Sequence, residues 1–170
     1  MNSPYNKITL SRKLTITALL ASIVTVSTMI IQIPIPGGYI HGGDAIIIFA
    51  AVFFGPIYGG IAGGIGSMLA DILSGYAIWA FPSLIIKATM AYIIGKIAYQ
   101  GSNPLLNFRT YTGIVIGLIW MVAGYYLLGG LIVNSYKIAF ASIPFNIIQG
   151  IGGILIFIPL ALAMRGKIKF

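Results

Sequence analysis

At 170 residues, 59% hydrophobic, 7% charged and with a mean hydropathy of +1.02, the chain is too apolar for a soluble globular domain and reads as one integral membrane domain over residues 1–170. Its net charge of +8 comes from ten bases against two acids, and the bases are scattered at the ends of apolar runs, which marks topology and excludes a nucleic-acid surface. The absence of cysteine excludes disulfides and thiolate metal sites.

In chain order, Met1 to Lys13 is a basic lead carrying Lys7, Arg12 and Lys13. The first span is Leu14 to Ile33, too long for the core of a secretory signal and followed by no small-residue cleavage site, so it is expected to be retained. A Pro-Gly segment, Pro34 to Gly43, leads to a short second span, Asp44 to Phe54, which Gly55-Pro56 ends. The third span is Tyr58 to Leu73. An aromatic connection, Ser74 to Pro82, precedes the fourth, Ser83 to Tyr99. Gly101 to Thr110 is the clearest loop, followed by spans at Tyr111 to Val133 and Ile138 to Met164 and a basic end with Arg165, Lys167 and Lys169. Six transmembrane helices place eight of the ten bases on one side, so both termini are expected in the cytoplasm, with the segments before spans two, four and six facing outward. No internal repeat relates the two halves.

Gly37 to Gly75 concentrates the chemistry. It holds both acids, the single His and half of the glycines. From Tyr58 small residues recur at helical spacing in three rows: Gly59, Gly63 and Ser67; Gly60 and Gly64; Ala62, Gly66 and Ala70. Small residues four apart let another backbone approach closely in lipid. The first row ends on Asp71, an acid that needs a partner or an interior position at membrane depth. Asp71 and Lys87 lie near the same ends of consecutive antiparallel spans, which makes them an expected ion pair, a ligand site, or both. Asp44 is expected to be the N-cap of span two.

In span six Ser142, Asn146, Gln149 and Gly153 share one face; Asn146, after Pro144, is assigned to ligand contact and Gln149 more to packing. Tyr39, His41, Tyr76, Trp79, Tyr125 and Tyr126 supply aromatics near the outward ends, where interfacial anchoring competes with stacking on a flat ring. With one His, no Glu and no Cys, no metal site is expected. The candidate substrate set is therefore Tyr39, His41, Asp71, Trp79, Lys87, Tyr125, Asn146 and Gln149. Span one carries Ala18, Ala21, Ser22 and Thr25, small residues suited either to internal packing or to another membrane subunit. Neither a phosphate loop nor a dinucleotide fingerprint is present, and two acids and one His give catalysis few acid, base or nucleophile candidates.

The order GGYIHGGDAIIIFAAVFFGPIYGGIAGGIGSMLADILSGY, then FPSLIIKATMAYIIGKI, then PFNIIQG resembles the S components of energy-coupling factor (ECF) vitamin transporters, nearest the branch that takes hydroxymethylpyrimidine or pyridoxine-type substrates. The resemblance implies an all-α bundle of six membrane helices. It also implies a subunit of the bacterial plasma membrane that captures a small flat vitamin or precursor outside, has no cofactor and no catalysis of its own, and works with a transmembrane coupling protein and two cytoplasmic ATPases. The family's Ala-xxx-Ala-like coupling face falls on Ala18, Ala21, Ser22 and Thr25, and its substrate site on the set already chosen. Other vitamins, such as pantothenate or riboflavin, remain alternatives. A small channel or facilitator is a reading from another class, set against the gathering of polar residues on one side. A lipid-directed membrane enzyme is a third, set against the absence of Glu and Cys.

Overall fold

The computed structural model describes residues 9–35, 38–99, 105 and 107–164. Gly37, Lys7, Arg165, Lys167, Lys169 and most of the expected loop at 101–110 lie outside them. The elements are α1 (Leu10–Ile30), β1 (Gln32–Ile35), β2 (Gly38–His41), α2 (Asp44–Phe54), α3 (Pro56–Leu73), α4 (Ala77–Ala98), α5 (Phe108–Ile132), α6 (Tyr136–Phe140) and α7 (Ser142–Met164). Five stretches, α1, α3, α4, α5 and α6 with α7, are long and apolar enough to cross a membrane; α2, eleven residues long, is the sixth apolar helix.

The short helix is the centre of the bundle. Ala45, Ile47, Ile48, Ala50 and Ala51 of α2 are fully buried, and α1, α3, α4 and α7 pack around it. A helix apolar on every side belongs in the interior rather than against solvent. Gly55, at φ +90°, then turns the chain in a conformation that a side chain would strain, and Pro56 opens α3 at its first position, where its missing N–H costs nothing.

The three small-residue rows of α3 each meet a different neighbour. A Cβ on Gly59 would come within 2.6 Å of the Ala51 Cα, so that row seats α2. One on Gly64 would lie 2.8 Å from the Ala88 Cβ of α4, and one on Gly66 would lie 2.6 Å from the Ala21 carbonyl oxygen of α1. Thr25 completes the last contact by donating its hydroxyl to the Gly66 carbonyl at 3.0 Å.

Several boundaries differ from the sequence expectation. Span one ends at Ile30, and Gln32 to His41 forms a two-stranded antiparallel hairpin with Gln32 opposite His41 and Pro34 opposite Tyr39. Span four starts six residues early at Ala77, with Pro82 inside the helix; the carbonyl that Pro82 leaves without a donor belongs to exposed Ile78 in the first turn. The last span is broken at Ala141, because the Pro144 ring would clash with the Phe140 carbonyl in a continuous helix. Span five begins at Phe108, capped by the Asn107 side chain accepting from the Arg109 N–H at 3.0 Å.

Candidate functional site

The site is built at the hairpin end of the bundle, where α3 stops. Gly75, at φ +83°, lets the Tyr76 N–H donate back to the Asp71 carbonyl at 2.8 Å and its own N–H to the Ile72 carbonyl at 3.3 Å. This double bond pattern fixes Asp71 on the last turn of α3 and starts α4 at once. Trp79, Ser83 and Lys87 then follow four residues apart on one face of α4. Met121 and Tyr125 do the same on α5, and Ser142, Asn146 and Gln149, four and then three residues apart, share one face of α7.

These faces and the hairpin enclose a pocket with about 480 Å³ of unfilled space, its open mouth included. Seven of the eight expected substrate residues line it: Tyr39, His41, Asp71, Trp79, Tyr125, Asn146 and Gln149. Ile35, Gly38, Ser83 and Ser142 line it too and were not in that set; Ser83 was legible as the residue one turn ahead of Lys87. The Tyr39 hydroxyl donates to Asp71 Oδ1 through a short hydrogen bond, and its ring packs on Tyr76 at 4.6 Å between centroids. Ser83 and Tyr125 share a hydroxyl hydrogen bond of 2.9 Å, and the Trp79 and Tyr125 rings lie 5.9 Å apart. Among the described residues Asp71 Oδ2 is buried with no hydrogen-bond partner.

Lys87 is the eighth residue, and it does not line the pocket. The expected pairing of Asp71 with Lys87 is replaced by an ion pair between Lys87 Nζ and Asp44 Oδ1 at 2.5 Å, with both side chains fully buried. The ammonium also meets Met121 Sδ at 2.9 Å and sits 5.4 Å from the centre of the Tyr125 ring. Asp44 is correspondingly not the N-cap of α2. That position is Gly43, without a side-chain cap, and Asp44 occupies the first turn with its carboxylate turned into the core. The reason is the central position of α2, which brings its N-terminus beside α4. Sequence adjacency of spans three and four suggested a different neighbour.

Gln149 ties this buried pair to the hairpin. Its Nε2 donates to Asp44 Oδ2 at 2.8 Å, while its Oε1 accepts the His41 backbone N–H at 3.1 Å. His41 Nδ1 accepts the Gly43 N–H at 3.2 Å, which leaves Nε2 as the protonated nitrogen. Burial pushes the His41 imidazole down to about 4; Asp44 opposes the shift and the Lys87 ammonium adds a smaller push in the same direction as burial, so the ring is neutral at neutral pH. Among the described residues no group of three or more His, Cys, Asp or Glu could hold a metal ion.

The small-residue face of α1 is divided. Ala21 and Thr25 are buried against α3, whereas Ala18 and Ser22 remain exposed. They line an apolar groove between α1 and α3 with Tyr58, Ile61 and Ile65.

The comparisons with known proteins agree with this architecture. The model of the family described as ECF-type riboflavin transporter, S component, matches residues 9–166. A protein of Pyrococcus woesei whose own role is uncharacterized is 40% identical over 142 residues, covering 78% of this chain and 88% of the relative. The thiamine precursor transporter HmpT of Lactococcus lactis subsp. cremoris is 33% identical over 145 residues, covering 84% of this chain and 81% of HmpT. The solved S component of a bacterial ECF transporter superposes with a TM-score of 0.73 over 95% of this chain and 100% of that one, at 26% identity. With the family model spanning nearly the whole chain and the apolar helices arranged as in a solved member, this multi-pass membrane protein belongs to the S components of ECF transporters, which serve vitamin uptake.

Proposed function

We propose that the chain captures a single-ring heterocycle of the hydroxymethylpyrimidine type from outside the plasma membrane and hands it on through a coupling protein and two partner ATPases. The observation that carries this reading is the convergence of three aromatics, a carboxylate and an amide on one pocket. Tyr39, Trp79 and Tyr125 offer ring faces, and Asp71 and Asn146 offer polar contacts for substituents. The name of HmpT supports a thiamine precursor as the class of cargo. The exposed Ala18 and Ser22 of α1 are assigned to the coupling protein, since a smooth apolar groove favours close helix approach.

Trp79 makes the test direct, because the only other tryptophan, Trp120, is absent from the pocket lining. In a Trp120→Phe background, purified protein titrated with hydroxymethylpyrimidine, pyridoxine, riboflavin and pantothenate reports binding through Trp79 emission. Saturable quenching by hydroxymethylpyrimidine at sub-micromolar concentration is the expected result. Saturation by riboflavin or pantothenate alone would overturn the substrate class, and saturation by none would overturn capture.

A further inference from the structure

The buried ionisable side chains at the hairpin end do not all pair off. Asp44 and Lys87 neutralise each other, and Lys87 is held there by Met121 Sδ and Tyr125 as well. With Lys87 taken up by Asp44, Asp71 has no cation in ion-pair contact among the described residues. It is 4% exposed, one oxygen accepts the Tyr39 hydroxyl, and the other has no partner while the residue lines the pocket. A neutral hydroxyl donor stabilises a carboxylate without cancelling its charge. The remaining lining supplies no cation among the described residues. His41 is engaged through Nδ1 with the Gly43 N–H and is neutral, and Ser83, which shares a hydroxyl hydrogen bond with Tyr125 and also faces Asp71, is an uncharged donor. The pocket therefore presents aromatic faces, an amide from Asn146, and the Asp71 carboxyl with one oxygen unpartnered, which in its ionised form is an open, negatively charged acceptor.

We propose that Asp71 is a charge filter for the cargo: it accepts an N–H from a neutral or cationic amino-heterocycle and repels phosphorylated or carboxylated relatives of the same ring. The inference rests on the capture reading above and deepens it. Stacking on Tyr39, Trp79 or Tyr125 tolerates any flat ring and cannot tell a free alcohol from its phosphate ester. A phosphate group carries about −1.5 to −2 charge near neutral pH, and a like charge held in a low-dielectric pocket is a repulsive element of the kind that sets specificity. The exocyclic amine of an aminopyrimidine supplies the donor that Asp71 Oδ2 lacks.

The test uses the full chain in detergent, with hydroxymethylpyrimidine and its monophosphate as probes, on wild type and Asp71→Asn, both in the Trp120→Phe background. The expected wild-type result is binding of the free alcohol and a monophosphate at least about 100-fold weaker. Asp71→Asn should weaken the free alcohol about 10- to 100-fold, as loss of a charge-assisted hydrogen bond does. It should also narrow the gap between the two ligands to under about tenfold, which steric exclusion of the phosphate would leave unchanged. The unliganded variant should unfold at the wild-type temperature or above, because no counter-ion is stranded.

Three results overturn the filter: a monophosphate that competes as well as the free alcohol, an Asp71→Asn variant that binds and discriminates as wild type does, or one that weakens both ligands equally while unfolding earlier. If the variant does not fold, Asp71→Ser carries the same comparison of the two ligands, because the wild-type ratio alone does not separate repulsion from steric exclusion. Failure of wild type to bind either ligand defeats the proposed substrate class and the filter together, whereas equal binding of both defeats the filter alone.

Discussion

Replacing Lys87 by Met removes the ammonium while keeping an unbranched side chain of similar length next to Met121. The perturbation strands Asp44, whose side chain is fully buried and whose Oδ1 then loses the one cation paired with it among the described residues. Removing one partner of a buried pair costs about 3–5 kcal/mol. Two compensations survive here. Gln149 still donates to Oδ2 at 2.8 Å, and the carboxylate still sits in the first turn of α2, where the helix dipole is worth up to about 2 kcal/mol in buried geometries. The loss should therefore fall near the low end, about 3 kcal/mol, or roughly 6–12 °C in unfolding temperature for a chain of this size. Thermal unfolding in detergent, followed by tryptophan emission, measures it. The double variant Asp44→Asn with Lys87→Met should recover to within about 1–2 kcal/mol of wild type, since a neutral pair strands no charge. A single variant that unfolds within about 2 °C of wild type, or a double variant worse than the single, would refute the assignment of Lys87 to Asp44.

Other outcomes follow from the same structure. The folded His41 pKa of about 4 lies below its ordinary 6.5, so the unfolded chain binds more protons between those values. Stability should be flat above pH 6.5 and fall as pH drops from 6.5 toward 4 with a slope of at most about one proton, a slope that His41→Gln abolishes in urea titrations at stepped pH. Gly66→Val places a side chain where a Cβ would already be 2.6 Å from the Ala21 oxygen, and should cost about 1–3 kcal/mol in the same unfolding assay. Ser22→Trp, on the exposed part of the α1 groove, should reduce co-purification of the coupling protein while leaving Trp79 quenching by ligand unchanged in the Trp120→Phe background once the new tryptophan's constant emission is subtracted.

Much of this was legible in residue spacing, because spacing reports which faces meet. The three rows of α3 point to three neighbours, and each glycine row meets the backbone or side chains of a different helix. The pocket residues were legible for a similar reason: polar groups in an apolar chain are costly away from an interior, so Asp71, Asn146 and Gln149 converge. Partnership was less legible. Whether Lys87 meets Asp71 or Asp44 depends on which helix occupies the centre, and the ten apolar residues after Asp44 look the same in the sequence whether they skirt a bundle or fill it. The hairpin carried a weak signal, Pro36-Gly37 between two four-residue runs, that the long apolar run before it obscured by extending span one to Ile33. The division of the α1 face also needed coordinates, since Ala21 and Thr25 are as small as Ala18 and Ser22 and only their direction separates them.

The shortness of α2 bears on the bilayer itself. From their common turn at Gly55, α3 runs seven residues farther than α2, about 10 Å along the helix axis. That offset is a notch cut into the bundle, and the hairpin drops into it. Lipid would leave the backbone groups of a strand edge at that depth without partners, so the strands have to be walled by protein. The Gly42 N–H bonded to the Ile31 carbonyl at 3.2 Å and the His41 N–H bonded to Gln149 are parts of that wall. A molecule bound beside Asp71, on the last turn of α3, therefore lies within the length of the helices rather than beyond their ends.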